Sequence, residues 1–346
     1  MQTDITDPMT KGGGAMPARS GVRLRPFAGD DDLRAFVEIF TAANVADDID
    51  ERVSYEALAN WVGHPSPHFD GSRDLVVAEV DGRPIGYGWG SWVDTTDGVR
   101  EYTTRGHLHG EWRRRGIGTA ILRHNEAHLR RLAATHDTDR PRFFGLGTNE
   151  RRAGAVALAE RNGYRPVRWF FEMLRPDMEG IVVPPLPEGL VLRPPNGEAE
   201  MRQVFEADVE AFRDHWGGFD DSEAAYQQWL SDPDYDPQLF VVAWDGDQVA
   251  GAVWNVILEH ENRELGRQRG LLDSVHMRRP WRGRGLASSL VGHSLALLRD
   301  RGMTSVVLGV DADNPLGALG LYQKAGFVVD QRSTGYRKPM DVEPDR

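Results

Sequence analysis

The chain has 346 residues, a length at which roughly 100–200 residues per domain predicts two domains. Its apolar fraction of 40% and charged fraction of 27% are ordinary for globular proteins, and the absence of cysteine excludes disulfides, thiolate metal sites and a cysteine nucleophile. The net charge of −12 argues against a nucleic-acid partner. Without an apolar run long enough to span a bilayer, or a secretory signal, we expect a cytoplasmic protein with no membrane partner.

Two segments of unusual composition divide the chain. Residues 1–20 contain three consecutive glycines and few apolar side chains, which predicts a disordered tail. Residues 179–188 include Pro184-Pro185-Leu186-Pro187, which favours an extended linker. We therefore predict an N-terminal domain over residues 21–178 and a C-terminal domain over residues 189–346.

The two halves carry the same landmarks in the same order, which indicates an internal duplication. The landmarks of the first half lie at residues 22–26, 75–78, 113–118 and 162–164, and those of the second at 190–194, 240–243, 282–287 and 325–327. The offsets between matched positions stay between 163 and 169 residues. We expect both halves to fold alike.

Each half is predicted to begin with a short strand and two helices, at residues 31–43 and 54–61 and again at 197–211 and 222–230. A hairpin follows, with second-half strands at residues 239–244 and 248–258 around an Asp-Gly turn. A third strand, Gly270 to Met277, leads into a glycine-rich turn and a helix with an apolar stripe. A strand, a helix and two final strands complete each half.

The turn Arg282-Gly283-Arg284-Gly285-Leu286-Ala287 has the chemistry of a diphosphate site. At a helix start several backbone N–H groups lack a partner, glycine allows close approach, and the helix dipole and arginines favour an anion. The spacing matches neither the dinucleotide fingerprint nor the phosphate loop of nucleotide hydrolases. Hydride transfer from a dinucleotide and nucleotide hydrolysis are therefore disfavoured.

Together with Asp311-Ala312-Asp313-Asn314-Pro315, Ala318, Leu321-Tyr322 and Gly326-Phe327, this turn resembles the GNAT N-acetyltransferase superfamily. The resemblance covers residues 190–340 well and residues 22–175 more loosely. It implies an α/β (α+β) fold of two GNAT-type domains, each a mixed, mostly antiparallel splayed sheet flanked by helices. It also implies acetyl-CoA as cosubstrate and a mechanism without a metal.

The resemblance assigns roles to individual residues. Val275 and Met277 would meet the pantetheine arm and the acetyl carbonyl through main-chain groups, and Asn314 would hydrogen-bond the CoA arm. Tyr322 would protonate the departing thiolate, which suits a phenol of pKa about 10; the alternative is a core tyrosine. Backbone donors would hold the pyrophosphate at Arg282, Gly283, Arg284, Gly285, Leu286 and Ala287.

An amine acceptor must lose a proton before it attacks, and Asp273 is the candidate base. It lies two residues before Val275, so strand alternation predicts that both side chains point to the same side as Met277. The alternative is a strand-end aspartate in water or in an ion pair. His276 has the opposite parity and is a weaker candidate.

The first half keeps the turn but not the catalytic residues. CoA-binding character is retained at Arg113, Arg114, Arg115, Gly116, Ile117 and Gly118. Counting back from Gly163 and Gly326 places Ala159 where the second half has Tyr322. Counting back from the glycine turns places Thr104 where the second half has Asp273. We predict that the first half is structural or binds CoA without turnover.

Residues 212–218 form a glycine-rich loop with polar and aromatic residues, in which Asp214 and Trp216 are predicted to hold the substrate ammonium by charge and cation–π contact. The histidines do not form a His-Glu-x-x-His pattern, so no metal site is expected.

The sequence predicts acetyl transfer from acetyl-CoA to a primary amine of a small molecule, by direct attack in the C-terminal domain of a monomer or homodimer. The tandem layout resembles actinobacterial two-domain acetyltransferases such as the mycothiol synthases. Alternatives left open are that specific activity, a non-catalytic acyl-CoA sensor or scaffold, and a protein lysine or N-terminal acetyltransferase.

Overall fold

The fold is seen in a computed structural model, which describes residues 21–213, 215–314 and 317–340. The predicted tail at residues 1–20 lies outside the described residues, so that expectation stays a prediction.

In the first half, local sequence signals set the element boundaries. Ser54 caps its helix by accepting a hydrogen bond from the Ala57 N–H, and Gly116, in the left-handed region at φ +84°, precedes another helix. The strands are β1 Val22–Pro26, β2 Leu75–Val80, β3 Arg83–Asp94, β4 Arg100–Leu108, β5 Arg142–Asn149 and β6 Arg165–Arg175. The helices are α1 Asp30–Val45, α2 Tyr55–Gly63, α3 Gly71–Asp74, α4 Ile117–Ala133 and α5 Ala153–Arg161.

The second half repeats the order of the strands and of the longer helices, but its short additional helix lies in a different place. Its strands are β7 Val191–Leu192, β8 Val241–Asp245, β9 Gln248–Val256, β10 Arg269–Met277, β11 Ser305–Asp311 and β12 Val328–Pro339. Its helices are α6 Gly197–Phe212, α7 Glu223–Leu230, α8 Glu259–Leu265, α9 Leu286–Asp300 and α10 Ala318–Lys324. The predicted helices, hairpin and third strand are confirmed. The sequence interpretation missed α3 and α8, and the two predicted final strands are a single long strand in each half.

All twelve strands of the described residues join one sheet, in the order β1-β2-β3-β4-β5-β12-β6-β11-β10-β9-β8-β7. The final strand of each half is exchanged: β12 pairs with β5 of the first half, and β6 pairs with β11 of the second. The exchanged strands also pair with each other, antiparallel, at the centre of the sheet. The α/β fold class is confirmed, while the exchange itself was not predicted.

Each half contains a pair of parallel strands that separate part-way along. β4 and β5 are paired from Arg100–Arg142 to Thr103–Gly145. β10 and β11 are paired from Arg269–Ser305 to Leu272–Leu308. Both β4 and β10 continue beyond the last pair, to Leu108 and Met277. The splayed strand ends create a cleft in each half.

The second half has hydrophobic cores on both faces of the sheet. One core packs α9 and α10 against the sheet and includes Leu290, Leu298 and Tyr322. The other packs α6 and α7 and includes Val204 and Trp229. Each fully buried aliphatic side chain contributes about 1.5–3 kcal/mol, so both layers hold the cleft walls in place.

The predicted linker forms neither helix nor strand and crosses the outer side of α9. Ser289 donates a hydrogen bond to the Pro184 carbonyl at 3.0 Å. A side chain at Gly292 would lie 2.7 Å from the Val182 carbonyl oxygen, so glycine permits this close approach. The linker is therefore packed against the second half.

Candidate active site

The glycine-rich turn of the second half has the backbone shape that the sequence predicts. Gly283 has φ +73° and Gly285 has φ +82°, both in the left-handed region, and α9 begins at Leu286. The first N–H groups of a helix have no partner within it. They are available to an anion here, with the exposed Arg284 beside them.

The first arginine of each turn anchors the turn to the helix at the start of its half. Arg282 donates from Nε to the Met277 carbonyl at 2.9 Å and from a terminal nitrogen to the Ala211 carbonyl at 3.3 Å. Arg113 pairs with Asp47 at 2.6 Å and donates to the Ala43 carbonyl at 3.0 Å. Both guanidinium groups therefore position the turn.

A β-bulge in β10 changes the direction of Asp273. The register with β9 shifts between Leu272 and Ser274, so the alternation of side chains is interrupted at Asp273. Val275 and Met277 pack in the core beside α9. Asp273 instead contacts Tyr235, which packs against the core beside α6 and α7. The prediction that Asp273 shares a side with Val275 and Met277 is wrong, because simple alternation does not survive a bulge.

Tyr235 is a site residue that the sequence interpretation missed. Its hydroxyl donates a hydrogen bond to Asp273 Oδ2 at 2.5 Å. The Asp273 carboxyl is open to solvent, yet protein atoms surround it densely, and this desolvation raises its pKa. The Tyr235 hydrogen bond acts in the opposite direction, whereas Asp208 and Asp232 raise the pKa further. Nothing in the local sequence around Tyr235 indicates this contact.

Next to Asp273, two side chains of β10 face α6. Ser274 donates to Asp208 Oδ1 at 2.5 Å, and His276 Nδ1 lies 3.0 Å from the same oxygen. His276 is 2% exposed. Its side chain points to the opposite face of the sheet from Val275, as predicted. The sequence does carry a signal for Asp208: it interrupts the core-facing stripe of α6, four residues after the buried Val204.

Tyr322 lies on α10, on the face of the sheet that also carries α9. It is 5% exposed and packs edge-on against Phe327, with ring centroids 6.0 Å apart. Burial raises its pKa to about 12. The phenol is therefore protonated at neutral pH, as an acid for a thiolate must be.

A cavity of about 1780 Å³ opens between the splayed strands of the first half. Its walls include Arg113, Arg114, Gly116 and Gly118 of the turn, and Ser333 to Gly335 of the exchanged strand β12. Ile117 is buried in the core, and Arg115 lies over the Trp112 ring at 4.8 Å. The first half therefore retains a turn that borders a cavity large enough for a cosubstrate, although the catalytic candidates lie in the second half.

The strand registers revise the match between the two halves. In β4, Arg105 lies opposite Trp89 and the preceding Thr104 lies opposite Gly90. In β10, Ser274 lies opposite Trp254, but the next paired residue is Leu272, opposite Asn255. Because Trp89 and Trp254 correspond, Asp273 is the additional residue of the bulge. Thr104 is buried towards α4 and accepts a hydrogen bond from Asn125 at 2.9 Å. Asp273 therefore has no counterpart in β4, and the counted equivalence with Thr104 is wrong.

Comparison with known proteins gives the family. The model of the Acetyltransferase (GNAT) family matches residues 33–164 and 201–327, more than half of the chain. The chain belongs to the GNAT acetyltransferase family. Members of this family are N-acetyltransferases that use acetyl-CoA, so the protein is an N-acetyltransferase with two GNAT domains, as predicted.

Relatives of this GNAT protein share its length. A mycothiol acetyltransferase of Geodermatophilus obscurus is 27% identical over 313 residues, covering 88% of this chain and 94% of the relative. A GCN5-related N-acetyltransferase of Sphaerobacter thermophilus has a TM-score of 0.70 at 25% identity, covering 96% and 99% of the two chains. A tandem GNAT protein from the clavulanic acid biosynthesis pathway has a TM-score of 0.67 at 17% identity, covering 93% and 100%, and shows the shared fold.

Three further predicted residues of the GNAT site have different outcomes. Asn314 lies just after β11, where its N–H donates to the Asp311 carbonyl at 3.2 Å. Asp214 lies outside the described residues. The Trp216 ring is already contacted by protein cations, with the Arg337 guanidinium 4.7 Å and the Arg168 guanidinium 5.7 Å from its centroid. A substrate ammonium would have to compete with these arginines for the ring.

Among the helices that the structure describes, none is both long enough and apolar enough to cross a membrane. The described side chains likewise contain no group of three or more metal-ligating residues. Catalysis without a metal remains a prediction.

Proposed function

We propose that the second half transfers an acetyl group from acetyl-CoA to a primary amine of a small molecule, by direct attack of the amine on the thioester. The observation that carries this proposal is that Asp273 contacts Tyr235 in the layer of α6 and α7, whereas Tyr322 packs in the layer of α9 and α10 on the opposite face of the sheet. The amine attacks one face of the planar thioester while the sulfur lies in its plane, so the base and the acid need separate positions around the acetyl group. In the first half, α5 has Ala159 in place of Tyr322, and β4 has no bulge.

Asp273 is the proposed base. A carboxylate with a raised pKa takes a proton from an ammonium group more readily than an ordinary aspartate does. The neighbouring carboxylates Asp208 and Asp232 favour the approach of a cation. Asp273 first takes one proton from the ammonium group and releases it to solvent. The amine nitrogen then forms a bond to the acetyl carbon while the carbon–sulfur bond breaks, and Asp273 takes the second nitrogen proton and passes it to solvent. The Tyr322 hydroxyl gives its proton to the thiolate and is reprotonated from solvent, so one proton is released in total.

Acetyl-CoA fits the residues of the second-half turn. The left-handed Gly283 and Gly285 leave room beside the backbone, and the start of α9 presents unpaired N–H groups. Arg284 adds positive charge, while Arg282 holds the turn in place. Val275, Met277 and Asn314 remain the proposed contacts for the arm of the cosubstrate.

A second candidate is acetylation of a mycothiol precursor. The observation that favours it is the similarity to mycothiol acetyltransferases along nearly their whole length. An acidic acceptor pocket suits any amine, so the pocket residues alone do not choose between this acceptor and another small amine.

The test is a panel of amines, including deacetylated mycothiol and a lysine-containing peptide, with acetyl-CoA and detection of the released thiol. We expect turnover with one or more small amines and a loss of about 10²-fold or more in Asp273→Asn. Asp234→Asn, which removes a carboxylate of the same acidic loop, should keep near-normal turnover. Binding of acetyl-CoA without thiol release for every amine would instead support an acyl-CoA sensor.

A further inference from the structure

The cleft of the first half has a charge opposite to that of the protein. Its lining contains seven arginines but four acidic residues, whereas the chain as a whole has a net charge of −12. The arginines are Arg105, Arg113, Arg114, Arg123, Arg151, Arg152 and Arg161, and the acids are Asp47, Asp48, Glu51 and Glu172. Burial raises the pKa of Glu51 and of Glu172. Such a concentration of cations favours anionic ligands.

Arg105 lies two residues beyond Thr103, the last residue of β4 that pairs with β5, so it stands where the strands separate. It reaches the cavity from β4 and is exposed to solvent there. Within the described ranges, no carboxylate lies within 4.0 Å of its guanidinium. The neighbouring Glu101 is already paired with Arg337 at 2.6 Å. A guanidinium left in this state offers several hydrogen-bond donors to an oxyanion.

Arg152 and His107 lie beside Arg105. Arg152 donates to Asn44 at 2.6 Å, and its nearest carboxylate contact is with Glu51 at 3.8 Å. Burial, together with the charges of Arg152, Arg105 and Arg113, lowers the pKa of His107 to about 3. His107 is thus neutral and adds no charge, so Glu51 is the carboxylate that partly balances Arg152.

Comparison with the second half shows that this pocket has been changed at specific positions. Arg105 corresponds by strand register to Ser274, which bonds to Asp208. The ion pairs Arg25–Asp32 and Arg193–Glu200 occupy the same place in the two halves, so Asp32 of α1 corresponds to Glu200 of α6. The same offset makes Phe40 the counterpart of Asp208. The Phe40 ring centroid lies 4.8 Å from that of His107. The first half therefore has the Phe40 ring in place of the Asp208 carboxylate and the Arg105 guanidinium in place of the Ser274 hydroxyl.

We propose that the deep part of the first-half cleft binds a small molecule through its oxyanion group, a carboxylate or a phosphate, held by Arg105 with Arg152. This site lies on the face that corresponds to the acceptor pocket of the second half, so the first half selects an anion where the second selects an amine. The site is distinct from the glycine turn at Arg114 to Gly118, and the inference does not depend on which half performs acetyl transfer.

The test uses the full-length chain in isothermal titration calorimetry, with inorganic phosphate and succinate as separate probes and ethylammonium as a cationic control. We expect saturable binding of at least one anion and no binding of ethylammonium at this site. Phosphate and succinate identify which oxyanion the site prefers. Arg105→Gln should weaken anion binding by about tenfold or more, because the bidentate donor is lost. Arg105→Lys should restore part of the affinity.

One control keeps the result specific. Arg301→Gln removes an exposed cation outside this cleft and should leave binding of the small anion unchanged. The proposal is overturned if neither anion binds saturably, or if Arg105→Gln binds both as the unmodified protein does while its melting temperature is unchanged.

Discussion

The two clefts share one construction and differ in what lies beside it. Both have a left-handed glycine before the helix, Gly116 and Gly285, and both anchor the turn through its first arginine. The second cleft has a bulge residue, Asp273, and a tyrosine on α10, whereas the first has no bulge in β4 and has Ala159 at the tyrosine position. The scaffold for binding a cosubstrate and the groups that perform transfer are therefore separable. A few positions assign a different task to each cleft.

The largest expected effect comes from separating the halves. Residues 189–340 expressed alone lack β6, so β11 loses its neighbour and the core loses the buried Met173. We expect an insoluble or inactive fragment, because an unpaired inner strand promotes aggregation. Full-length protein cut within residues 179–188 should stay associated on gel filtration and keep its activity. A folded, monomeric and active 189–340 fragment would contradict the importance of strand exchange.

Tyr322→Phe should reduce kcat by about 10²–10³-fold, since the acid that protonates the thiolate is removed. Acetyl-CoA binding, measured by calorimetry, should be unchanged. Tyr226→Phe is the matched control, because this buried tyrosine lies in the other core of the same half. Equal turnover in Tyr322→Phe and the unmodified protein would return Tyr322 to a structural role and weaken the comparison between the clefts.

A pair of glycine substitutions compares the two turns directly. Alanine at Gly285 or Gly116 is strained by roughly 1–2 kcal/mol in the left-handed region. We expect Gly285→Ala to raise the KM for acetyl-CoA by about tenfold, and Gly116→Ala to leave kcat and KM unchanged. Both variants should lose similar stability in denaturant unfolding. A matching rise in KM for Gly116→Ala would show that the first turn serves the reaction.

The smallest expected effects are shifts in the pH profile of kcat/KM. The base acts when ionised, so the rate falls as pH decreases through the pKa of Asp273. Tyr235→Phe removes a hydrogen bond that lowers this pKa, so the acid limb should move to higher pH. Asp232→Asn removes a charge that raises it, so the limb should move to lower pH. Each shift should be up to about one pH unit.

Opposite shifts from these two substitutions would identify the titrating group as Asp273. If both variants keep the acid limb of the unmodified protein, another group is the base. The acid limb of the kcat/KM profile should disappear in Asp273→Asn when the profile is measured in the same buffers.

Local sequence patterns predict much of this molecule, and contacts between distant segments account for the rest. The glycine turn, α9 and Tyr322 follow from residues that are close together in sequence. Strand exchange does not, because β6 and β12 would show the same alternation whichever sheet they joined. The bulge at Asp273 is likewise invisible, since its extra residue is defined only by the register with β9. Tyr235 reaches Asp273 through that altered direction.

The exchange of β6 and β12 also constrains the history of the chain. A gene that arises by duplication can usually lose a redundant copy without harming the other. Here each copy supplies a strand that the other copy needs at the middle of its sheet. Deleting the first copy would damage the second, so both are retained together, and the first cleft is free to acquire a different ligand while its backbone stays under selection.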